Sequence, residues 1–146
     1  YATIFLMHAN ACVYLAKVFA EPDSISKEGI NLSIMSIEER RQQALEYFND
    51  GITYYQVFLQ LRPNSKDGRF NLVYTYNQKA ELMGRYMGNL EGAKDALEKA
   101  LLYGEDFNTY RMLGVVNGML GNHEQAAAMF EQALKIQPQK FCTICI

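Results

Sequence analysis

The chain has 146 residues, a length typical of one domain, and 49% hydrophobic against 21% charged residues allows a substantial buried core. Its formal net charge is −2 at pH 7, and no long run of one sign interrupts the sequence. These properties argue against a surface for nucleic acid and against electrostatic binding to an anionic membrane.

The first twenty residues, "YATIFLMHANACVYLAKVFA", form the most apolar segment of the chain. The segment is long enough to span a bilayer, which takes about 20 apolar residues. However, His8, Asn10 and Lys17 interrupt it, and no basic region precedes it. We interpret it as a buried first helix, with membrane contact through residues 1–20 as the alternative, and residues 21–35 as a linker.

A second helix begins with a clear signal at Ser36. The sequence "SIEE" places Glu39 three residues after Ser36, which is the pattern of a capping box. Apolar residues then recur at three- and four-residue steps as far as Leu61, just before Pro63. Gly51 lies inside this helix, and we expect another helix to approach closely there.

Four more helices follow from the same periodicity and from the turn residues between them. The first runs from about Asp67 to Met87, and a shorter one follows the Gly88-Asn89 break and ends at about Leu102. The next is capped by Asp106 or Asn108 and ends near Leu120, and the last follows the Gly121-Asn122 break and ends at about Ile136.

The end of the chain contains an internal repeat. "MGNLEGAKDALEKAL" at 87–101 returns as "LGNHEQAAAMFEQAL" at 120–134, displaced by 33 residues and identical at seven of fifteen positions. A repeat of this length that contains helix, Gly-Asn turn and helix indicates stacked helix pairs, because one pair cannot bury its apolar face alone.

The last helix pair resembles the tetratricopeptide repeat, whose pattern of large, small and turn residues has a period of 34. The positions that carry the resemblance are Tyr110, Leu113, Gly114, Asn117, Gly121, Ala126, Phe130, Ala133 and Pro138. It is strong over residues 107–138 and weak before residue 70. Over 70–106 it is variant, because Ala80-Glu81 stands where Leu-Gly would be.

The resemblance implies an all-α fold, a right-handed superhelical stack of antiparallel helix pairs with about six helices. We expect a single helical-repeat domain over residues 1–146. Its parts are an apolar helix with linker at 1–35, a long helix at 36–63, a variant unit at 67–105, a repeat unit at 106–138 and a tail at 139–146.

The resemblance also implies a function, since tetratricopeptide repeats bind proteins through a concave groove lined by their first helices. We therefore expect a non-enzymatic scaffold that binds a peptide or partner subunit, with no cofactor or metal. Asn and Gln side chains can bond a peptide backbone, and Arg85 and Arg111 could hold a carboxylate. The predicted groove residues are Asn71, Tyr74, Thr75, Gln78, Leu82, Arg85, Asn108, Arg111 and Val115.

The apolar character of the last helix favours an alternative function. Ala126 to Phe130 form an unbroken apolar run, so a second side of this helix would be bare. We expect another subunit, or a second copy of the chain, to cover it. The alternative function is therefore a structural subunit built permanently into a larger complex, with attachment to a membrane through the apolar first helix as one form of it. The location stays open between the cytoplasm and the periphery of a membrane.

Two pairs of residues near the ends of the chain have the spacing of metal or redox sites. Cys142 and Cys145 have the spacing of metal ligands, and His8 and Cys12 share one helix face. The two ends of an open solenoid lie far apart, which opposes a joint site, so we assign no metal, redox or catalytic role to these residues.

Overall fold

The structure is a computed structural model that describes residues 1–21 and 35–137. Within those ranges it contains helices and no strand, which confirms the all-α, tetratricopeptide-like class with six helices. The helices are α1 (Ala2–Ala20), α2 (Ile37–Leu61), α3 (Lys66–Glu81), α4 (Leu90–Ala100), α5 (Phe107–Met119) and α6 (His123–Ile136). Most of the predicted linker, together with Pro138, Cys142, Cys145 and the predicted tail, lies outside the described residues.

The predicted start of α2 is confirmed. The backbone N–H of Glu39 donates to Ser36 Oγ at 3.1 Å, and the backbone N–H of Ser36 donates to Glu39 Oε2 at 3.0 Å. This reciprocal pair satisfies two of the backbone donors that a helix leaves unpaired at its N-terminus.

The two Gly-Asn turns of the internal repeat are confirmed as helix breaks. Gly88 and Gly121 have φ of +67° and +85°, a region that side chains with a Cβ rarely enter. Asn89 then caps α4, because its side-chain oxygen accepts the backbone N–H of Gly92 at 2.8 Å. Asn122 precedes α6 without such a bond, so the glycine is the feature that both turns share.

The helix predicted to run to Met87 ends differently from the prediction. α3 ends at Glu81, and a π-helical turn, Leu82–Tyr86, continues the chain. A Cβ at Gly84 within this turn would lie 3.2 Å from Ala93 Cβ on α4. The π-helical turn therefore lies in close contact with α4.

Residue contacts divide the chain into two compact units, Tyr1–Thr75 and Tyr76–Ile146. The boundary falls inside α3, and a single repeat domain over the whole chain stays a prediction. In the first unit α1 and α2 pack as an antiparallel pair. The ring centroids of Phe5 and Tyr54 lie 6.5 Å apart, and those of Phe19 and Tyr47 lie 5.6 Å apart. α1 is therefore covered by α2 on one side, as expected of a helix that contributes to a core.

The close approach predicted at Gly51 occurs against α1. A Cβ at Gly51 would lie 3.0 Å from Val13 Cγ2 and 3.5 Å from the carbonyl oxygen of Ala9. One turn further along, the Tyr55 hydroxyl donates to Asn10 Oδ1 at 2.5 Å. Burial raises the pKa of Tyr55 to about 12, so this hydroxyl remains a donor at neutral pH.

In the second unit α5 and α6 pack through the residues of the repeat pattern. Ala126 and Ala133 are buried on α6, and the Phe130 ring fills the space beside Gly114 on α5. A Cβ at Gly114 would lie only 2.7 Å from Phe130 Cε1. Glycine is therefore favoured at this crossing, because any side chain with a Cβ would displace the ring.

Replacing Ser36 should destabilise the first unit. We expect Ser36→Ala to lower the free energy of unfolding by about 1 kcal/mol, because the backbone N–H of Glu39 loses its partner, Ser36 Oγ. Urea denaturation followed by circular dichroism measures the change. Glu39→Ala should cost more than Glu38→Ala, since both remove a first-turn charge but only Glu39 bonds the cap. Equal losses for the two glutamates would contradict the role of the capping box.

Two glycines of α5 should respond to alanine with opposite signs. Gly114→Ala should lower the free energy of unfolding by about 1–3 kcal/mol through overpacking against Phe130. Gly118→Ala should raise it by up to about 1 kcal/mol, because alanine favours helix. At Gly118 the nearest atom, Ala126 Cβ, would lie at an ordinary 3.9 Å. Thermal and urea unfolding measure the stability of the two variants. If both substitutions destabilise the protein, helix propensity and contact distance do not explain the role of glycine in α5.

Candidate functional site

The three side chains predicted on α5 lie on one exposed face of that helix. Asn108, Arg111 and Val115 are spaced by three and four residues, and all three are exposed. Met119 continues the same face with 64% of its surface exposed. We call these four residues the α5 face. Met119 was not among the predicted residues, although the same four-residue step from Val115 leads to it.

The polar end of the α5 face has unused bonding capacity. Arg111 and Asn108 form no side-chain hydrogen bond and no ion pair with the described residues. A guanidinium offers five N–H donors in a planar fork, which suits a carboxylate, and an amide offers both donors and acceptors. At the other end, Val115 is 43% exposed. The face therefore combines a free cation, a free amide and apolar surface.

A buried polar network holds the start of α5 in place. Thr109 Oγ1 donates to Asn77 Oδ1 at 2.9 Å, and Asn77 Nδ2 donates to Asp106 Oδ2 at 3.3 Å. Asp106 also caps α5 by accepting the backbone N–H of Thr109 at 3.2 Å. These bonds tie α5 to the end of α3 within the second unit, so Asn108 and Arg111 project from a fixed helix.

The predicted residues around the π-helical turn have three different environments. Gln78 is half-buried, and Leu82 is only 2% exposed and belongs to the core. Arg85 is exposed, but its guanidinium pairs with Glu81 at 3.4 Å and lies 5.4 Å from the Tyr86 ring centroid. Since a buried leucine cannot reach a partner without movement, we leave Leu82 out of the candidate surface.

The predicted groove residues of the first unit also differ from one another. Thr75 is fully buried, and its hydroxyl donates to the carbonyl oxygen of Asn71 at 2.7 Å, so it too is left out of the candidate surface. Asn71 is half-buried. Tyr74 is 37% exposed, and Phe70, which was not among the predicted groove residues, is 67% exposed. The four-residue step from Phe70 to Tyr74 marks an exposed aromatic pair.

Two of the residues with metal-ligand spacing, His8 and Cys12, lie in the part of the chain that the structure describes. Cys12 is half-buried, and burial, followed by the charge of Asp50, raises its thiol pKa, which disfavours the thiolate that metals and nucleophilic chemistry need. His8 lies 5.3 Å from the Tyr54 ring centroid. Within residues 1–21 and 35–137, no three His, Cys, Asp or Glu side chains are grouped to hold a metal.

The exposed side of α6 is mixed in character. Ala127 and Ala128 are exposed, and Leu134 is 39% exposed. Glu131 lies on the same side, one turn from each of them. This side of α6 is therefore less apolar than the apolar run from Ala126 to Phe130 suggests. Its coverage by another subunit stays a prediction.

Comparison with known proteins gives a match for the segment that carries the α5 face. Residues 108–140 match the family model of the tetratricopeptide repeat. No curated protein matches the chain significantly. The match confirms the predicted tetratricopeptide-repeat resemblance over α5 and α6, and repeats of this family generally mediate protein–protein interactions.

Proposed function

We propose that this chain is a protein-interaction module without catalytic activity, and that its α5 face binds a partner protein. The observation that carries the proposal is the free Arg111 and Asn108 beside exposed Val115 and Met119, on a helix within the tetratricopeptide-like segment. Repeats of this family generally serve interaction rather than catalysis, which supports the non-enzymatic assignment.

The chemistry of the α5 face suits a peptide with polar and apolar parts. Arg111 can form two parallel hydrogen bonds with one carboxylate, and the Asn108 amide can bond both donor and acceptor groups of a peptide backbone. Val115 and Met119 offer apolar contact area, and methionine adapts its shape to different partners. Gln78 and Arg85 are further candidates, with Arg85 first having to leave Glu81.

A second candidate function, a structural subunit of a larger assembly, rests on the outer side of α1. Ile4 is 54% exposed, Met7 66% and Tyr14 47%, and exposed Ala11 completes the helical spacing. Among the described residues, one helix, Ala2–Ala20, is long and apolar enough to cross a membrane. Core helices of soluble proteins meet the same criteria, so we rank this function below the first.

Binding of a partner to the α5 face can be tested with a photo-crosslinking amino acid placed in that face. We expect a benzoylphenylalanine introduced at Val115 to capture a specific partner in an extract of the source cells, identified by mass spectrometry. Arg111→Glu should reduce the yield about tenfold or more, because the partner carboxylate would meet a like charge.

The matched control places the same photo-crosslinker at Glu98, an exposed position on α4. Capture of the same proteins from Glu98, or capture from Val115 that is insensitive to Arg111→Glu, would contradict the proposed surface. Circular dichroism of each variant confirms that the helices remain folded.

The structural-subunit candidate makes a separate prediction about α1. If its outer side binds lipid or a second copy, the purified chain should float with neutral phosphatidylcholine vesicles or self-associate in sedimentation experiments. Met7→Glu should then abolish either behaviour, because burying an unpaired carboxylate is costly. Leu102→Glu is the control, since Leu102 is an 80% exposed apolar residue elsewhere. A chain that stays monomeric and does not bind vesicles would count against the structural-subunit function.

A further inference from the structure

We propose a second binding surface in the first unit, formed by Tyr14, Lys17, Phe70 and Tyr74, that binds a peptide segment carrying a carboxylate next to an aromatic or large aliphatic side chain. We call it the aromatic surface. It shares no residue with the α5 face, so it does not rest on the function proposed above.

A direct contact brings the two halves of the aromatic surface together. Lys17 Nζ on α1 donates to the Tyr74 hydroxyl on α3 at 2.8 Å, although 57 residues separate them in the sequence. The same ammonium lies 5.4 Å from the Tyr74 ring centroid, within the range of a cation–π interaction. Two long side chains are thus held in one geometry before any ligand arrives, which lowers the entropy cost of binding.

Two further aromatic rings flank this contact and remain open to solvent. Phe70 is 67% exposed and lies one helical turn before Tyr74 on α3. Tyr14 is 47% exposed and lies one turn before Lys17 on α1. Aromatic side chains provide large contact area at a small cost in conformational entropy, which is why they are frequent at interaction sites.

The charge of the aromatic surface specifies the ligand. A lysine ammonium has three N–H donors, and Lys17 uses one of them for Tyr74. It pairs with no carboxylate of the described residues. Because the Tyr74 hydroxyl accepts from Lys17, its own proton is free to donate as well. A ligand carboxylate would accept from both groups, while a neighbouring apolar side chain would cover Phe70.

A peptide suits this surface better than a nucleic acid, although nucleic-acid bases also stack on aromatic rings. Single-stranded nucleic acids bind along grooves with many cations, because each neutralised phosphate adds to the affinity. Here one ammonium, Lys17, lies among the rings, and the whole chain carries a net charge of −2. The repulsion of a polyanion would outweigh a single favourable contact.

Selection of displayed peptides tests the specificity of the aromatic surface. A phage library of short random peptides is first depleted on a Lys17→Met, Phe70→Ser double variant and then selected on the unaltered chain. Depletion removes peptides that bind elsewhere, including the α5 face. We expect the enriched sequences to contain Asp or Glu within a few residues of an aromatic or large aliphatic residue.

Single variants then assign the binding energy. Fluorescence anisotropy with the most enriched peptide should show that Lys17→Met and Phe70→Ser each weaken binding about tenfold or more, as for central interface residues. Lys17→Met keeps the aliphatic stem and removes the charge. Leu102→Ser is the matched control, because it removes an apolar residue that is 80% exposed in the second unit. It should leave the affinity unchanged, as should Arg111→Gln.

The outcomes are distinct. Enrichment of acidic and apolar peptides that both variants weaken supports the aromatic surface. No enrichment, enrichment of basic peptides, or equal binding by Phe70→Ser contradicts it. Tighter binding of a single-stranded oligonucleotide than of any selected peptide also contradicts it. Weakening by Arg111→Gln alone would overturn this proposal and support the α5 face instead.

Discussion

Paired helices in this chain pack at positions where one of the two carries glycine or alanine. Gly51 leaves space for Val13 of α1, and Gly114 leaves space for the Phe130 ring. Gly84 lies so close to Ala93 that a larger side chain would crowd the contact. These close approaches bury apolar surface over whole helix lengths and provide the main stabilisation of such pairs. They also fix the rotation of each helix, and therefore which of its faces remains exposed.

The candidate binding surfaces follow from that rotation. Once Leu113 and Gly114 are turned into the core, helical geometry directs Asn108, Arg111 and Val115 outward. The buried network of Asn77, Thr109 and Asp106 adds a fixed register at the start of α5. A network of this kind stabilises only while all its members are satisfied, so it favours one arrangement of the helix over others. Binding groups on such a helix lose little entropy when a partner arrives.

The internal repeat predicted its two Gly-Asn turns, because a turn depends on residues that are adjacent in sequence. Gly114, Ala126, Phe130 and Ala133 were predicted only as positions of the tetratricopeptide pattern, and the structure shows how they pack. Asn108, Arg111 and Val115 were predicted to share one face because a regular helix has a single period, whereas Met119 at the end of that face was missed.

The remaining features depend on contacts that a single helical period does not encode. Leu82 is buried where an exposed residue was expected, and it lies two helical turns after buried Thr75, so the π-helical turn that begins at Leu82 does not account for its burial. Thr75 is buried although it was predicted to line the groove, because the rotation of α3 is set by its packing and its own hydrophobic pattern is weak. The hydrogen bond between Lys17 and Tyr74 joins residues far apart in sequence, so no local sequence pattern predicts it.

Methyl NMR spectroscopy tests most directly the central claim that the α5 face binds the partner protein. The Val115 and Met119 methyl signals would be followed while the captured partner is added, with the Met7 methyl as an internal reference. The account predicts that the signals of Val115 and Met119 shift or broaden at stoichiometric partner while that of Met7 does not. Binding that leaves the Val115 and Met119 signals unchanged would contradict it.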